Sequence, residues 1–267
     1  MISISWALES TLRLVSFSVL VQGLEMLRVR HAWSGSGPWA WVRLRDEFRI
    51  FGRAPFAVLN RVLSDHGFLL LLGLQLVCAV GCLVAPSLAW APVLFASALL
   101  QALRWRGAFN GGSDYMTVLV LMALSAALAF GGNERATHVA LAYVGIQVLA
   151  SYFIAGLVKL KEPEWRNGRA LQVFLASAEQ GAPGWVGTIT SRRAACAIGG
   201  WGVILFELLG PMLMLASGRL SWVAVTLAMA FVFHLANAVI FGLNRFVWAW
   251  VAGYPGVVVV VQALRAA

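Results

Sequence analysis

The sequence predicts an all-α fold, a polytopic transmembrane helical bundle of about eight membrane spans, and three observations predict it. The chain is 61% hydrophobic and only 12% charged, with a mean hydropathy of +0.82; a soluble domain carries about 45–50% apolar and about 25% charged residues. Apolar runs near 20 residues recur along its 267 residues, the length a helix needs to cross about 30 Å of hydrocarbon. Basic residues collect between these runs and form no continuous patch, so the net charge of +9 reads as membrane-flanking charge. A soluble enzyme, a secreted disulfide domain and a disordered chain are excluded. The expected partner is the lipid bilayer, with a membrane or peptide partner in addition and no nucleic acid.

The spans fall at 5–27, 67–85, 88–103, 114–130, 139–158, 197–216, 220–241 and 246–264. The first carries Glu9, Arg13 and Glu25; Glu9 and Arg13 stand at i, i+4, a spacing that lets them pair and lowers the cost of burial. The third is short and reads as tilted or partly re-entrant. The connection 28–66 holds Trp33, Trp39, Trp41 and many arginines. Within it, 54–66 predicts an interfacial helix with Phe56, Leu59, Val62 and Leu63 on one side and Arg61 and Asp65 opposite. The connection 159–195 carries an apolar stretch, 170–178, too short to span, which predicts a re-entrant or surface helix; a Gly/Pro turn region follows at 181–187. No repeat is visible, so 1–267 reads as one integral membrane domain. The N-terminus shows no signal-peptide pattern. Cys78 and Cys82, at i, i+4 on one helix face, read as core packing, and with Cys196 they form no disulfide framework.

Charge sets the expected orientation. The odd-numbered connections hold 16 of the 20 Lys and Arg, the even ones hold Arg135 and Arg219, and Arg265 follows span eight. Sixteen against three places the loop-rich face in the cytoplasm and both termini outside. The expected location is the cell membrane, multi-pass, of the bacterial inner-membrane kind.

Ionisable groups in or beside spans invite a functional reading, because burying them is expensive. Asp114 opens a helix, where a carboxylate also suits the N-terminal dipole. Lys159 ends an apolar helix and could equally snorkel to the interface. Glu207 sits in mid-span four residues before Pro211, either as a hydrogen-bonded acid or as a site residue. His234 lies deep in span seven, three residues before Asn237, as a core histidine or a base. No metal-ligand spacing occurs among the four histidines, and Asn110-Gly111-Gly112 reads as a turn rather than a phosphate loop.

Two blocks carry a resemblance. Tyr152-Phe153-Ile154-Ala155-Gly156-Leu157-Val158-Lys159-Leu160, followed by Trp165 and Gly168, resembles the Y-x-x-A-G-x-x-K-L…W-x-x-G block of the HTTM (horizontally transferred transmembrane) family. Its best-known member is vitamin K-dependent γ-carboxylase. Phe233-His234, Asn237, Phe241-Gly242, Phe246 and Pro255 resemble a second family block, and Asn110 to Asp114 is similar to the N-G-G-x-D turn of bacterial members. The resemblance covers roughly 104–255.

What the resemblance implies is a membrane enzyme using a quinone or hydroquinone of the vitamin K type. In the carboxylase the block lysine activates vitamin K hydroquinone, whose oxygenation supplies the base that removes a glutamyl γ-proton before carbon dioxide adds. Carried over onto the matching block, Lys159 is the base; the enzyme reading adds His234 and Asp114 as further catalytic groups and Trp165, Asn237 and Glu207 as cofactor-binding residues. The chain departs from the carboxylase in having Gly112, Ser113 and Asp114 near a position where that enzyme has a histidine, in lacking a large domain after span eight, and in placing its lysine on the cytoplasmic face. The alternative reading is a non-catalytic membrane scaffold or partner of a biosynthetic complex. A transporter is third, since no broken helices occur in matching halves.

Overall fold

A computed structural model describes residues 2–105, 111–177 and 183–266, and their regular structure is helical. Arg106, Asn110, Ala178 and Gly181, on which parts of the sequence reading fall, lie outside the described residues. The chain forms two compact units. One is Leu8–Ala140; the other is the chain from Leu141 onward with the start of the first helix.

In the first unit, α1 (Ile4–Arg28) buries Leu12, Val15, Val19 and Met26, a three-and-four spacing that keeps one face inward. Glu9 and Arg13 fall on the opposite, exposed face. Nothing there holds two long side chains together, and the expected ion pair between them does not form. The 28–66 connection folds as α2 (Arg30–Trp33), α3 (Trp41–Leu44), a 3-10 helix (Arg45–Phe51) and α4 (Arg53–Val62). Its aromatic residues Trp33, Trp41 and Phe48 pack with Met26, Leu63 and Phe68 into one cluster. The interfacial helix stops at Val62, short of the expected His66, because the Ser64 hydroxyl accepts from the Gly67 amide at 3.2 Å and starts α5 (Asp65–Val84).

The shortest of the expected spans is α6 (Trp90–Arg104), 15 residues long. Its terminal Arg104 is fully buried and donates to the carbonyl oxygens of Leu63 (2.9 Å) and Trp33, with Asp65 Oδ1 at 3.5 Å. The guanidinium also lies 4.7 Å from the Phe68 ring centre. These contacts join the last residue of α6 to the first of α5, so the two helices run antiparallel and α6 returns to the side that α5 left. At 15 residues it is shorter than a helix needs to cross a bilayer upright. The unit continues with α7 (Gly112–Ala129).

Helix α8 (Glu134–Lys161) runs on into the second unit. Three short helices follow, α9 (Pro163–Arg166), α10 (Arg169–Ser177) and α11 (Trp185–Thr190), then α12 (Arg193–Ser217), α13 (Leu220–Phe241), α14 (Asn244–Val251) and α15 (Tyr254–Ala266). Nine residues of α10 cannot cross a bilayer; the helix packs on α12 through Leu171 and Leu175. Gly145 of α8 meets Gly256 of α15 so closely that a Cβ on Gly145 would land 2.3 Å from the Gly256 carbonyl oxygen. Among the described residues, seven segments are long and apolar enough to cross a membrane: α1, α5, α7, α8, α12, α13 and the α14–α15 succession Asn244–Ala266. They make the all-α multi-pass bundle that composition predicts, with seven such spans where the sequence reading has about eight, α6 being the short one.

Candidate functional site

All groups of the site come from the second unit. Helix α8 presents Tyr152, Ala155 and Lys159 at i, i+3 and i+7, one face of a helix. Helix α12 presents Val203 and Glu207, and α13 presents His234, Asn237 and Phe241 with the same periodicity. These side chains, with Trp165 from α9 and Phe246 and Trp250 from α14, line one cavity of about 390 Å³.

Two glycines of the sequence block explain why the groups converge. A Cβ on Gly156 would lie 2.9 Å from the backbone nitrogen of Leu208 and 3.0 Å from Glu207 Cβ. Only glycine lets α8 press against α12 at this level, close-approach packing of the kind that small residues permit between membrane helices. One turn further along α8, Lys159 therefore meets Glu207. Gly168 has φ +80°, and a Cβ there would lie 2.4 Å from the Ala197 backbone nitrogen. The chain turns tightly against α12 at that point, bringing Trp165 over the end of α8.

The cavity has two polar ends. At one, Lys159 Nζ donates to both oxygens of Glu207, at 2.9 Å and 2.7 Å. The side chains are 19% and 5% exposed, so both charges are largely out of water and each depends on the other. The Trp165 ring centre lies 5.2 Å from the same ammonium, a cation–π distance. Pro211 has no N–H for the Glu207 carbonyl one turn before it, but the Glu207 carboxylate turns to Lys159 rather than to that break.

At the other end, Tyr152 Oη and His234 Nε2 are 2.6 Å apart. The imidazole lies among Phe233, Phe246 and Trp250, with ring centres 5.4, 6.4 and 5.2 Å away. Its Nδ1 is buried without a hydrogen-bond partner. If the phenol donates to Nε2, Nδ1 carries the remaining proton and is a donor; if Nε2 donates, Nδ1 is an acceptor. Either tautomer leaves one polar atom of His234 for a ligand. Trp250 is held by a 3.2 Å hydrogen bond from its indole N–H to Ser151 Oγ.

Five of the six sequence-predicted site residues, Lys159, His234, Trp165, Asn237 and Glu207, thus line one cavity. Asp114 belongs to the other unit. It lies in the first turn of α7, 8% exposed, and accepts from Gln22 Nε2 at 3.2 Å. Sequence reasoning missed Tyr152 as a site group, although its place seven residues before Lys159 puts both on one helical face. It also missed Ser151, Phe174 and Trp250, which carry no comparable signal.

A family model, the HTTM domain, matches residues 122–258. That is half of the chain, and it contains both sequence blocks and the whole cavity: the chain belongs to the HTTM family and is a multi-pass membrane protein. The Asn110–Asp114 sequence motif falls outside the match. No curated protein and no solved structure matches the chain.

Proposed function

We propose that the protein is a membrane enzyme acting on a lipid-soluble, quinone-type group, with the Lys159–Glu207 pair handling the proton. The observation that carries this reading is the sharing of one largely apolar cavity by two polar pairs, Lys159 with Glu207 and Tyr152 with His234. A concave apolar lining with few convergent polar groups is what a small aromatic ligand requires. The unpartnered Nδ1 of His234 gives such a ligand's oxygen or hydroxyl a counterpart. When bound, a hydroquinone supplies a removable hydroxyl proton and reducing electrons.

The protein's own part is proton transfer. As an ammonium, Lys159 has no lone pair and cannot act as a base. Moving one proton from Nζ to a Glu207 oxygen, across 2.7 Å, turns the ion pair into an amine and an acid with no change in net charge. No isolated charge is left in the cavity. The free amine can then accept the proton of a substrate hydroxyl. His234, fixed by Tyr152, orients the ligand from the far end, and Trp165 and Asn237 complete the wall. Asp114 acts outside this cavity, in the packing of α1 with α7.

The alternative, a non-catalytic membrane scaffold, is favoured by one observation: Glu207 already satisfies Lys159 without a ligand. Consumption of a vitamin K-type hydroquinone by purified protein decides between them. The enzyme reading expects Lys159→Arg to fold and insert yet consume none, since arginine stays protonated, while Lys161→Arg stays active. An active Lys159→Arg protein, or an inactive wild type, favours the scaffold.

A further inference from the structure

Where α1 ends and α5 begins, the 28–66 connection of the first unit has an outer surface that the fold itself does not use. The apolar side of α4 is turned inward: Phe56, Leu59 and Val62 pack against the cluster of Trp33, Trp41, Phe48 and Leu63. What α4 presents outward is a second stripe. Arg53, Ala57 and Arg61 recur at i, i+4 and i+8 and are all exposed, with Val58 exposed beside them. The stripe is roughly 12 Å long at 1.5 Å per residue.

Just ahead of the stripe, the 3-10 helix ends in an apolar tip, Ile50 and Phe51. Among the described residues no large apolar side chain is more exposed than Ile50, at 86%, and Phe51 is 54% exposed. Both lie outside the spans, so the lipid-facing flank of a crossing helix does not account for them. The tip is held in place: Phe51 leans on the buried Phe48 with ring centres 6.2 Å apart, and Gly52, at φ +89°, turns the chain from the tip into α4. Charge adds to this. Positions 28–66 carry seven arginines against three acids. Arg49 holds Asp46 at 2.9 Å, and Arg104 from α6 lies 3.5 Å from Asp65. Arg53 and Arg61 form no ion pair among the described residues.

We infer that this outer face binds anionic phospholipid headgroups of the leaflet it borders, with Arg53 and Arg61 meeting the phosphates and Ile50 and Phe51 inserted at the headgroup boundary. The chain itself sets where the partner is: α1 leaves the membrane at Arg28 and α5 enters it at Asp65, so both ends of the connection are tied to one leaflet. Water suits the arginines but not an exposed Ile50 and Phe51. An anionic leaflet suits both, since basic side chains are drawn to its surface and apolar ones to the boundary just beneath. Binding at this face uses no residue of the second unit and stands apart from the cavity.

The test places one fluorophore on the stripe, at Ala57→Cys; the native Cys78, Cys82 and Cys196 are buried, so labelling is confined to that position. The labelled protein is reconstituted in nanodiscs of mixed phosphatidylcholine and phosphatidylglycerol, with one lipid or the other brominated as the quencher. At equal mole fraction, brominated phosphatidylglycerol is expected to quench more strongly than brominated phosphatidylcholine. Arg53→Gln and Arg61→Gln are each expected to lower that ratio, by at most about fivefold, and molar salt to remove it. Ile50→Ser with Phe51→Ser is expected to weaken quenching by both lipids. All four side chains are exposed, so the variants are expected to unfold at the temperature of the parent protein. Equal quenching by the two lipids overturns the inference, as does a ratio that the arginine substitutions leave unchanged. Undiminished quenching after the Ile50 and Phe51 changes overturns the insertion of the tip. Quenching by neither lipid also overturns the inference and means that the face stands clear of the bilayer, open to a soluble partner.

Discussion

Glu207 and Lys159 stand on different helices, 48 residues apart in sequence, yet the Lys159 ammonium touches both Glu207 oxygens. Glu207→Gln leaves a largely buried ammonium with one weak acceptor, so it is expected to lower unfolding stability by roughly 3 kcal/mol. Replacing both residues by methionine removes both charges together and is expected to cost less than either single change. Thermal unfolding of wild type, Lys159→Met, Glu207→Met and the double methionine variant in one detergent closes the cycle. Additive losses would mean that the pair is not coupled.

The Tyr152–His234 contact makes a narrower prediction. Tyr152→Phe keeps the ring packed and deletes one buried hydrogen bond, worth about 1 kcal/mol. Folding should survive. Hydroquinone turnover is expected to fall roughly ten- to a hundredfold, because the imidazole loses the contact that aims it. Unchanged turnover would make Tyr152 a packing residue only.

Arg104 governs the other unit. Arg104→Lys keeps a charge but cannot donate in a fork to Leu63 and Trp33 together. It leaves buried carbonyl oxygens unpaired, with an expected loss of roughly 2–4 kcal/mol. Limited proteolysis should then cut the 28–66 connection, which the wild type protects. Equal protease resistance of the two proteins would contradict the role assigned to Arg104.

Orientation follows from charge. Both termini are expected outside the cytoplasm and the 28–66 connection inside it. Cysteines introduced at Ile2 and Ala266 should react with an impermeant maleimide added to intact cells, while Arg49→Cys should react only after lysis. Labelling of Arg49→Cys in intact cells would reverse the assignment, and labelling of one terminus alone would exclude an even number of crossings.

The fold and the site differ in how far they are legible in the sequence, and for physical reasons. Long apolar runs are local and strong, so the spans are readable. Helical periodicity places Lys159 and His234 each on a defined helix face, and the family blocks mark them. The partner that each side chain chooses is not local. Glu9 and Arg13 have the spacing of a pair but lie on an exposed face and stay apart, whereas Glu207 finds Lys159 only because Gly156 brings two helices together. The 28–66 connection reads as interfacial from its composition. Its actual order comes from Arg104, some forty residues beyond it, which no pattern within the connection reveals. Asp114 has the position of a site residue and of a helix-start residue at once, and its bond to Gln22 is a contact between α1 and α7 that follows from neither.

Gly145 and Gly156 lie three turns apart on the same side of α8, one against α15 and the other against α12. At Gly145 backbone meets backbone, and at Gly156 the Leu208 backbone nitrogen and the base of its side chain both stand 2.9 Å from where a Cβ would be. The helix is pinned at two points about 16 Å apart and forms the fixed jaw of the site, and Lys159 has no freedom to travel with it. Opening the cavity must then come from the opposite jaw, α13 and α14, or from the aromatic side chains alone. Ring rotations run orders of magnitude faster than the sliding of packed helices, so a cavity opened by its aromatic side chains can exchange its contents while the frame that holds its charges stays still.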